Sequence, residues 1–376
     1  MKQIHRLIST VDYVVEPPQL WSQHITNSKW AVGVPHIERE PDGTDSWIID
    51  RRKFRLSELV QVGALMTDRV DSLKLWDDIP EEAYVPAARL KAMDRDGVEY
   101  SVLYPTVAGF SGENLGAITD PELELACVQT YNDWLIDEWL ACSDRFIPQC
   151  ILPLSSIDAA VRELRRAVEK GHRGVVFPAV PMHVRAVPHI NDPEYDPIWA
   201  ACQELDIPLC FHAGSSRQLE YPIAPGYSSE LASAMQAVIR PASAVFDFVN
   251  LLFSRILLRF PNLEVVFAES SIGWGTFLLE YADHQYEQDH CNYELTPSEM
   301  FKRQCYLTSW YEPVKNDGAS ISPDNILWAT NFPLANSSWP DTPAFVEKCL
   351  SELAHDRRNQ ILWGNAARLY KVEVSE

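Results

Sequence analysis

The chain has 376 residues, 46% of them hydrophobic and 23% charged, a globular composition with room for one large α/β barrel or two medium domains. Its formal charge of -21 excludes a sequence-independent nucleic-acid or anionic-membrane surface, because phosphate binding needs clustered Lys and Arg. Eight cysteines with no C-x-x-C pair, and no apolar run of about 18 residues, point to a cytoplasmic chain with reduced thiols and no membrane span.

The first apolar run is "LISTVDYVV" near the N-terminus. Residues 19–97 then break the pattern with scattered Trp, Pro and charged residues. From about residue 98 onward, short β-type runs alternate with helical patterns: "VEYSVLYP", "FIPQCIL", "GVVFP", "IPLCFH", "LEVVFAE", "QCYLTS" and "NILWATN". With the N-terminal run they make eight strands. Between them, Thr119 with Pro121 and Glu122 reads as a helix start, and Asp192 as a cap with Pro193 at the first helical position. In "SSIDAAVRELRRAVEKG", Ile157, Val161, Leu164 and Val168 share one face while Arg162, Glu163, Arg165, Arg166 and Glu169 avoid it, and Gly171 ends the helix.

Eight strands alternating with helices predict a (β/α)8 TIM barrel over residues 1–376, a single domain. The 19–97 insertion after strand one then falls on the C-terminal face, as a lid or an oligomer contact. Barrel interiors are filled, so polar groups that end apolar strands reach the mouth. Four such groups are Tyr13, His212, Glu269 and Asn331. Taken singly, each also reads as a structural residue, but a barrel gathers strand ends onto one small mouth. Trp21, Tyr104, Trp274 and Trp310 are candidates to line that mouth, although aromatics near strand ends are core residues at least as often.

The stretches "ISTVDYVVEPPQLW", "RLKAMDRDGVEYSVLYPT", "PLCFHAGSS", "RFPNLEVVFAESSIGWGTFLLEYAD", "ILWATNFPLANSSWP" and "ILWGNAARLY" resemble the amidohydrolase-related family. That group contains aminocarboxymuconate-semialdehyde decarboxylase and γ-resorcylate decarboxylase. The resemblance runs from about residue 7 to 371 and implies a (β/α)8 barrel acting on small organic acids or amides, as a homodimer or higher homo-oligomer. It also implies a metal pattern that this chain departs from. The acidic and His positions of strand one fall on Val11 and Tyr13, the strand-eight Asp on Asn331 and the following His on Leu334. His212 matches the strand-five ligand, and Glu269 sits where members carry a catalytic His or Glu.

One strong donor of the pattern remains, whereas a zinc or manganese site needs three or four. The expectation from sequence is therefore no cofactor, with divalent zinc or manganese disfavoured. His212 can serve as general acid or base, Glu269 as a proton carrier, and Tyr13 and Asn331 as donors to a substrate oxygen. The expected function is a metal-independent lyase or hydrolase of a small carbonyl or carboxylate compound, in secondary metabolism or aromatic degradation. Two alternatives stand beside it: a metal-dependent decarboxylase or hydrolase with a displaced metal site, and a non-catalytic barrel.

Overall fold

All eight apolar runs are strands, and each is short because only its central residues are covered on both faces. The computed structural model describes residues 6–60, 73–215, 226–291, 294–315 and 321–373. In chain order the strands are β1 (Ile8–Tyr13), β2 (His36–Arg39), β3 (Asp45–Ile49), β4 (Arg52–Arg55), β5 (Tyr100–Tyr104), β6 (Phe146–Cys150), β7 (Gly174–Val176), β8 (Leu209–His212), β9 (Val265–Ala268), β10 (Cys305–Ser309) and β11 (Ile326–Trp328). The main sheet runs β1-β5-β6-β7-β8-β9-β10-β11, and every neighbouring pair in it is parallel.

Its two edges meet. The amide of Asn331 donates to the Val11 carbonyl at 3.0 Å and that of Tyr13 to the Phe332 carbonyl at 2.7 Å, while Thr10 Oγ1 donates to the Trp328 carbonyl at 2.9 Å. The predicted (β/α)8 barrel is the observed fold, and its closure sets the ends of β1 and β11 side by side.

Period-two alternation sorts the side chains of the wall. Phe211 in β8 and its register partner Phe267 in β9 lie outward, where Phe248 of the helix Ser229–Phe253 meets Phe267 edge-on at 5.4 Å. Cys210 and His212 alternate to the opposite face. In the helix Ile157–Lys170, Ser156 caps the start and Gly171 follows the end at φ 123°. Its buried face differs from the predicted stripe: Ala159, Ala160, Glu163, Leu164 and Ala167 are covered. Small alanines let this helix approach closely, and the Glu163 carboxylate is taken in by Asn132 at 2.7 Å and Arg166 at 2.7 Å. At the other predicted start, Asp120 rather than Thr119 caps the helix Pro121–Trp134, accepting from the amides of Glu122 and Leu123.

The excursion after β1 holds structure that its weak periodicity hides. Strands β2, β3 and β4 form a three-stranded antiparallel sheet, with Trp47 of β3 fully buried. Residues 61–72 of the segment read as a lid lie outside the described residues.

Candidate active site

Three of the four strand-end groups form one hydrogen-bonded cluster. His212 closes β8 on the barrel side of the wall, with its ring buried. Its Nδ1 donates to the Ala213 carbonyl at 2.6 Å; a carbonyl only accepts, so Nε2 of the neutral ring is the bare nitrogen. Tyr13 Oη lies 2.6 Å from that Nε2 and 3.3 Å from Glu269 Oε2. The single phenol proton therefore has two acceptors. His212 Nε2 and Glu269 Oε2 are themselves 3.7 Å apart.

Burial decides the protonation states. It pulls the His212 pKa down to about 4, so the imidazole is neutral near pH 7. Burial, followed by the Glu269 charge, lifts the Tyr13 phenol well above its ordinary value and keeps its proton on. Glu269 is balanced from the far side, where Asn336 Nδ2 donates to Oε1 at 2.9 Å and the Arg240 guanidinium stands 3.8 Å from the same oxygen.

Glu269 owes its direction to a backbone turn. Ala268 is the register partner of His212 and so shares its face, which would send the next side chain outward. Glu269 instead adopts φ 52°, and its carboxylate swings to the mouth. A left-handed glutamate is a strained arrangement, one that accumulates at functional sites. The loop is held by Glu312, whose carboxylate accepts from the amides of Ile272 at 2.9 Å and Gly273 at 2.9 Å.

Asn331 is also left-handed, at φ 54°, a conformation asparagine tolerates well. Its side chain is fully buried, and neither amide atom has a hydrogen-bond partner among the described residues. An orphaned buried amide costs free energy until something satisfies it. Asp12, the penultimate residue of β1, does not serve the mouth: its carboxylate accepts from Ser101 at 2.6 Å, Thr330 at 2.5 Å and the Phe332 amide at 3.0 Å.

Of the four candidate lining aromatics, Tyr104 alone touches the cluster, with ring centroids 6.3 Å from Tyr13 and 5.6 Å from His212. The other three make their described contacts elsewhere. Trp21 is buried in the excursion, donating to the Cys127 carbonyl at 3.0 Å and meeting Trp47 edge-on. Trp274 donates to the Ser270 carbonyl at 2.7 Å and packs on Phe248, supporting the turn that carries Glu269. Trp310 packs on Tyr311.

Three groups at the mouth escape sequence reasoning: Phe110, Arg240 and Asn336. Phe110 stacks on His212 with centroids 4.8 Å apart and ring planes 19° apart, and meets Tyr13 edge-on at 5.4 Å. One signal was present for Arg240, which is the sole Lys or Arg between residues 229 and 253, a long apolar stretch directly downstream of His212.

The donors that could hold a divalent ion are His212 Nε2, Glu269 and the amide oxygen of Asn331. Among the described residues no three His, Cys, Asp or Glu side chains gather as a metal-binding group. A site here would complete its shell with neutral oxygens, as hard divalent cations accept. The orphaned Asn331 amide offers such an oxygen, and the 3.7 Å between His212 and Glu269 is a span one ion can bridge. The chemistry of these three donors, an imidazole nitrogen, a carboxylate and an amide oxygen, fits a divalent ion.

The chain is similar to several known proteins. A γ-resorcylate decarboxylase of Rhizobium sp. (strain MTP-10005) is 25% identical over 315 residues, covering 76% of this chain and 86% of that enzyme. The structure of an amidohydrolase from Mycobacterium avium subsp. paratuberculosis K-10 matches with a TM-score of 0.77 at 19% identity, over 97% of this chain and 99% of that one. A dihydroxybenzoic acid decarboxylase from Polaromonas sp. JS666, solved with bound manganese and the inhibitor 2-nitroresorcinol, matches with a TM-score of 0.64 at 17% identity, over 99% of this chain and 98% of that one. The manganese in that decarboxylase overturns the expectation of no cofactor, and with it the support for a metal-independent reaction. The amidohydrolase family model matches residues 73–372, and the chain belongs to this family of barrel enzymes.

Proposed function

We propose that the chain is a decarboxylase of a hydroxylated aromatic carboxylate, assisted by a divalent ion of the manganese class. The observation that carries the reading is the cluster of Tyr13, His212 and Glu269 at the barrel mouth, within reach of the Arg240 cation. The names of the relatives support the substrate class. His212, Glu269 and the Asn331 amide oxygen would hold the ion, which when bound stabilises negative charge on the substrate oxygens.

The remaining work falls to the chain. Arg240 docks the substrate carboxylate. Tyr13, which keeps its proton, donates it in a hydrogen bond to a substrate hydroxyl oxygen. The Glu269 carboxylate takes the proton of the substrate hydroxyl and delivers it to the ring carbon that bears the carboxylate, so that the product departs as a phenolate reprotonated by water. The electron pair of the carbon–carboxylate bond then returns to the ring, aromaticity is restored and carbon dioxide leaves. Asn336, bonded to Glu269 Oε1 at 2.9 Å, orients the proton carrier. Exclusion of water from this buried cluster strengthens each of these contacts.

The test is carbon dioxide release from 2,6-dihydroxybenzoate and related hydroxybenzoates, with manganese added and after chelation. Turnover that depends on manganese and is abolished in Glu269→Gln supports the reading. Release from none of the hydroxybenzoates, with or without the ion, sinks it.

A further inference from the structure

The reacting groups of this site are all covered, and Phe110 is one of the side chains that cover them. Tyr13, His212 and Glu269 are each at most 1% exposed. The ring face of His212 is occupied by Phe110, stacked 4.8 Å away. The Arg240 guanidinium lies over the same Phe110 ring, 5.7 Å from its centroid. A ligand cannot reach the His212 face unless the Phe110 ring moves.

The backbone under Phe110 is tied down, so the ring moves by rotation of its side chain. Glu16, fully buried, accepts from the amides of Thr106 at 3.3 Å, Val107 at 2.8 Å and Ala108 at 3.0 Å. The Glu113 carboxylate accepts from the Ser111 amide at 2.8 Å, and Asn114 Nδ2 donates to the Val107 carbonyl at 3.0 Å. Gly109 turns the chain at φ 92°, and a Cβ there would sit 2.5 Å from the Glu113 carboxyl. Four residues with no catalytic part thus fix the root of one phenylalanine.

Resting on the decarboxylase reading, we propose that Phe110 is a displaceable plug of the mouth: it holds the place of a flat aromatic ring on His212, yields that place to a substrate ring, and sets how tightly any ligand binds by the stacking it gives up. Exchange of one ring for another restores the stacking on His212 and the edge contact with Tyr13. An aliphatic acid of equal size displaces Phe110 without restoring either. The preference for aromatic carboxylates thus lies with His212 and Tyr13, against which the ligand ring packs, while Phe110 sets the cost of entry for every ligand and Arg240 is on hand for the carboxylate.

Benzoate and cyclohexanecarboxylate test this, being matched in size and charge and lacking the hydroxyls that activate decarboxylation. Calorimetry on the manganese-loaded wild type is expected to show benzoate binding roughly 5- to 10-fold tighter, the worth of an aromatic pair. Phe110→Leu keeps an apolar side chain of similar bulk but gives up no stack on His212, so both acids should bind about 2- to 10-fold tighter with their ratio unchanged; Phe110→Tyr should leave both affinities near those of the wild type. In the crystal structure of the benzoate complex, the ligand ring should lie on His212 with Phe110 rotated away. Unchanged or weaker affinity for both acids in Phe110→Leu, or a ligand ring elsewhere with Phe110 still on His212, overturns the inference even if 2,6-dihydroxybenzoate is turned over. Binding of neither acid by the wild type overturns it too. Loss of hydroxybenzoate turnover in the wild type, with the aromatic selectivity intact, would count against the decarboxylase reading alone.

Discussion

Tyr13 and His212, 199 residues apart in the chain, share a 2.6 Å hydrogen bond at the mouth of the barrel. The partner of that bond is fixed by the His212 ring, because Nδ1 is committed to the Ala213 carbonyl. Tyr13 is thus the donor, and its raised pKa keeps it one.

Tyr13→Phe removes that donor and leaves the ring packed. The kcat for a hydroxybenzoate should fall by about 100-fold or more while KM changes little, because the lost bond matters most as charge develops on the substrate oxygen. Steady-state kinetics at saturating manganese check this, and an unchanged kcat would remove Tyr13 from the reaction.

Arg240→Gln should separate binding from chemistry. A charge-assisted hydrogen bond to a carboxylate is worth about 1.5–3 kcal/mol, so KM should rise by roughly 10- to 100-fold with kcat nearly preserved. A fall in kcat with KM constant would instead assign Arg240 to the charge balance of Glu269, which it approaches at 3.8 Å.

Asn331→Asp replaces a neutral amide by an anion at the position that the family resemblance assigns to a ligand. Cation affinity rises with the number of charged ligands, so the manganese dissociation constant should drop by about 10-fold or more. Calorimetric titration of chelator-stripped protein gives the answer without any substrate. Weaker binding in the variant would show that Asn331 does not face the ion.

Asp247 supplies a pH signature of stability. Burial raises its pKa from 3.8 to about 7, so between those values the folded carboxyl keeps a proton that the unfolded chain has released. Its contribution is fully present below pH 3.8 and is lost as pH rises through about 7. Asp247→Asn should therefore match wild type near pH 4 and exceed it near pH 8, by on the order of 1–4 kcal/mol. Parallel melting curves across that range, with a constant gap between the two proteins, would refute the assignment.

The eight strands were legible because each buries both faces and so reads as a short apolar run bounded by turn residues. His212 and Glu269 were legible for the same reason, each being the first polar side chain after such a run, and Asn331 follows its run one residue later, after Thr330. The small sheet β2–β4 was not, since its strands are only four or five residues long and two of them are largely exposed. Glu163 was misplaced because its burial depends on Asn132 and Arg166 meeting it there, which no periodicity records.

What the sequence determined by itself is the barrel and the residues at its strand ends, because alternation and turn chemistry are local properties of the chain. Only the tertiary structure decided which of those residues meet. The left-handed turn that swings Glu269 inward, at φ 52°, depends on a loop clamped by Glu312. Phe110, Arg240 and Asn336 join the site from segments whose local patterns give no direction. Closure of the β1 and β11 edges brings these distant segments together, and a convergence made by closure leaves no periodic trace along the chain.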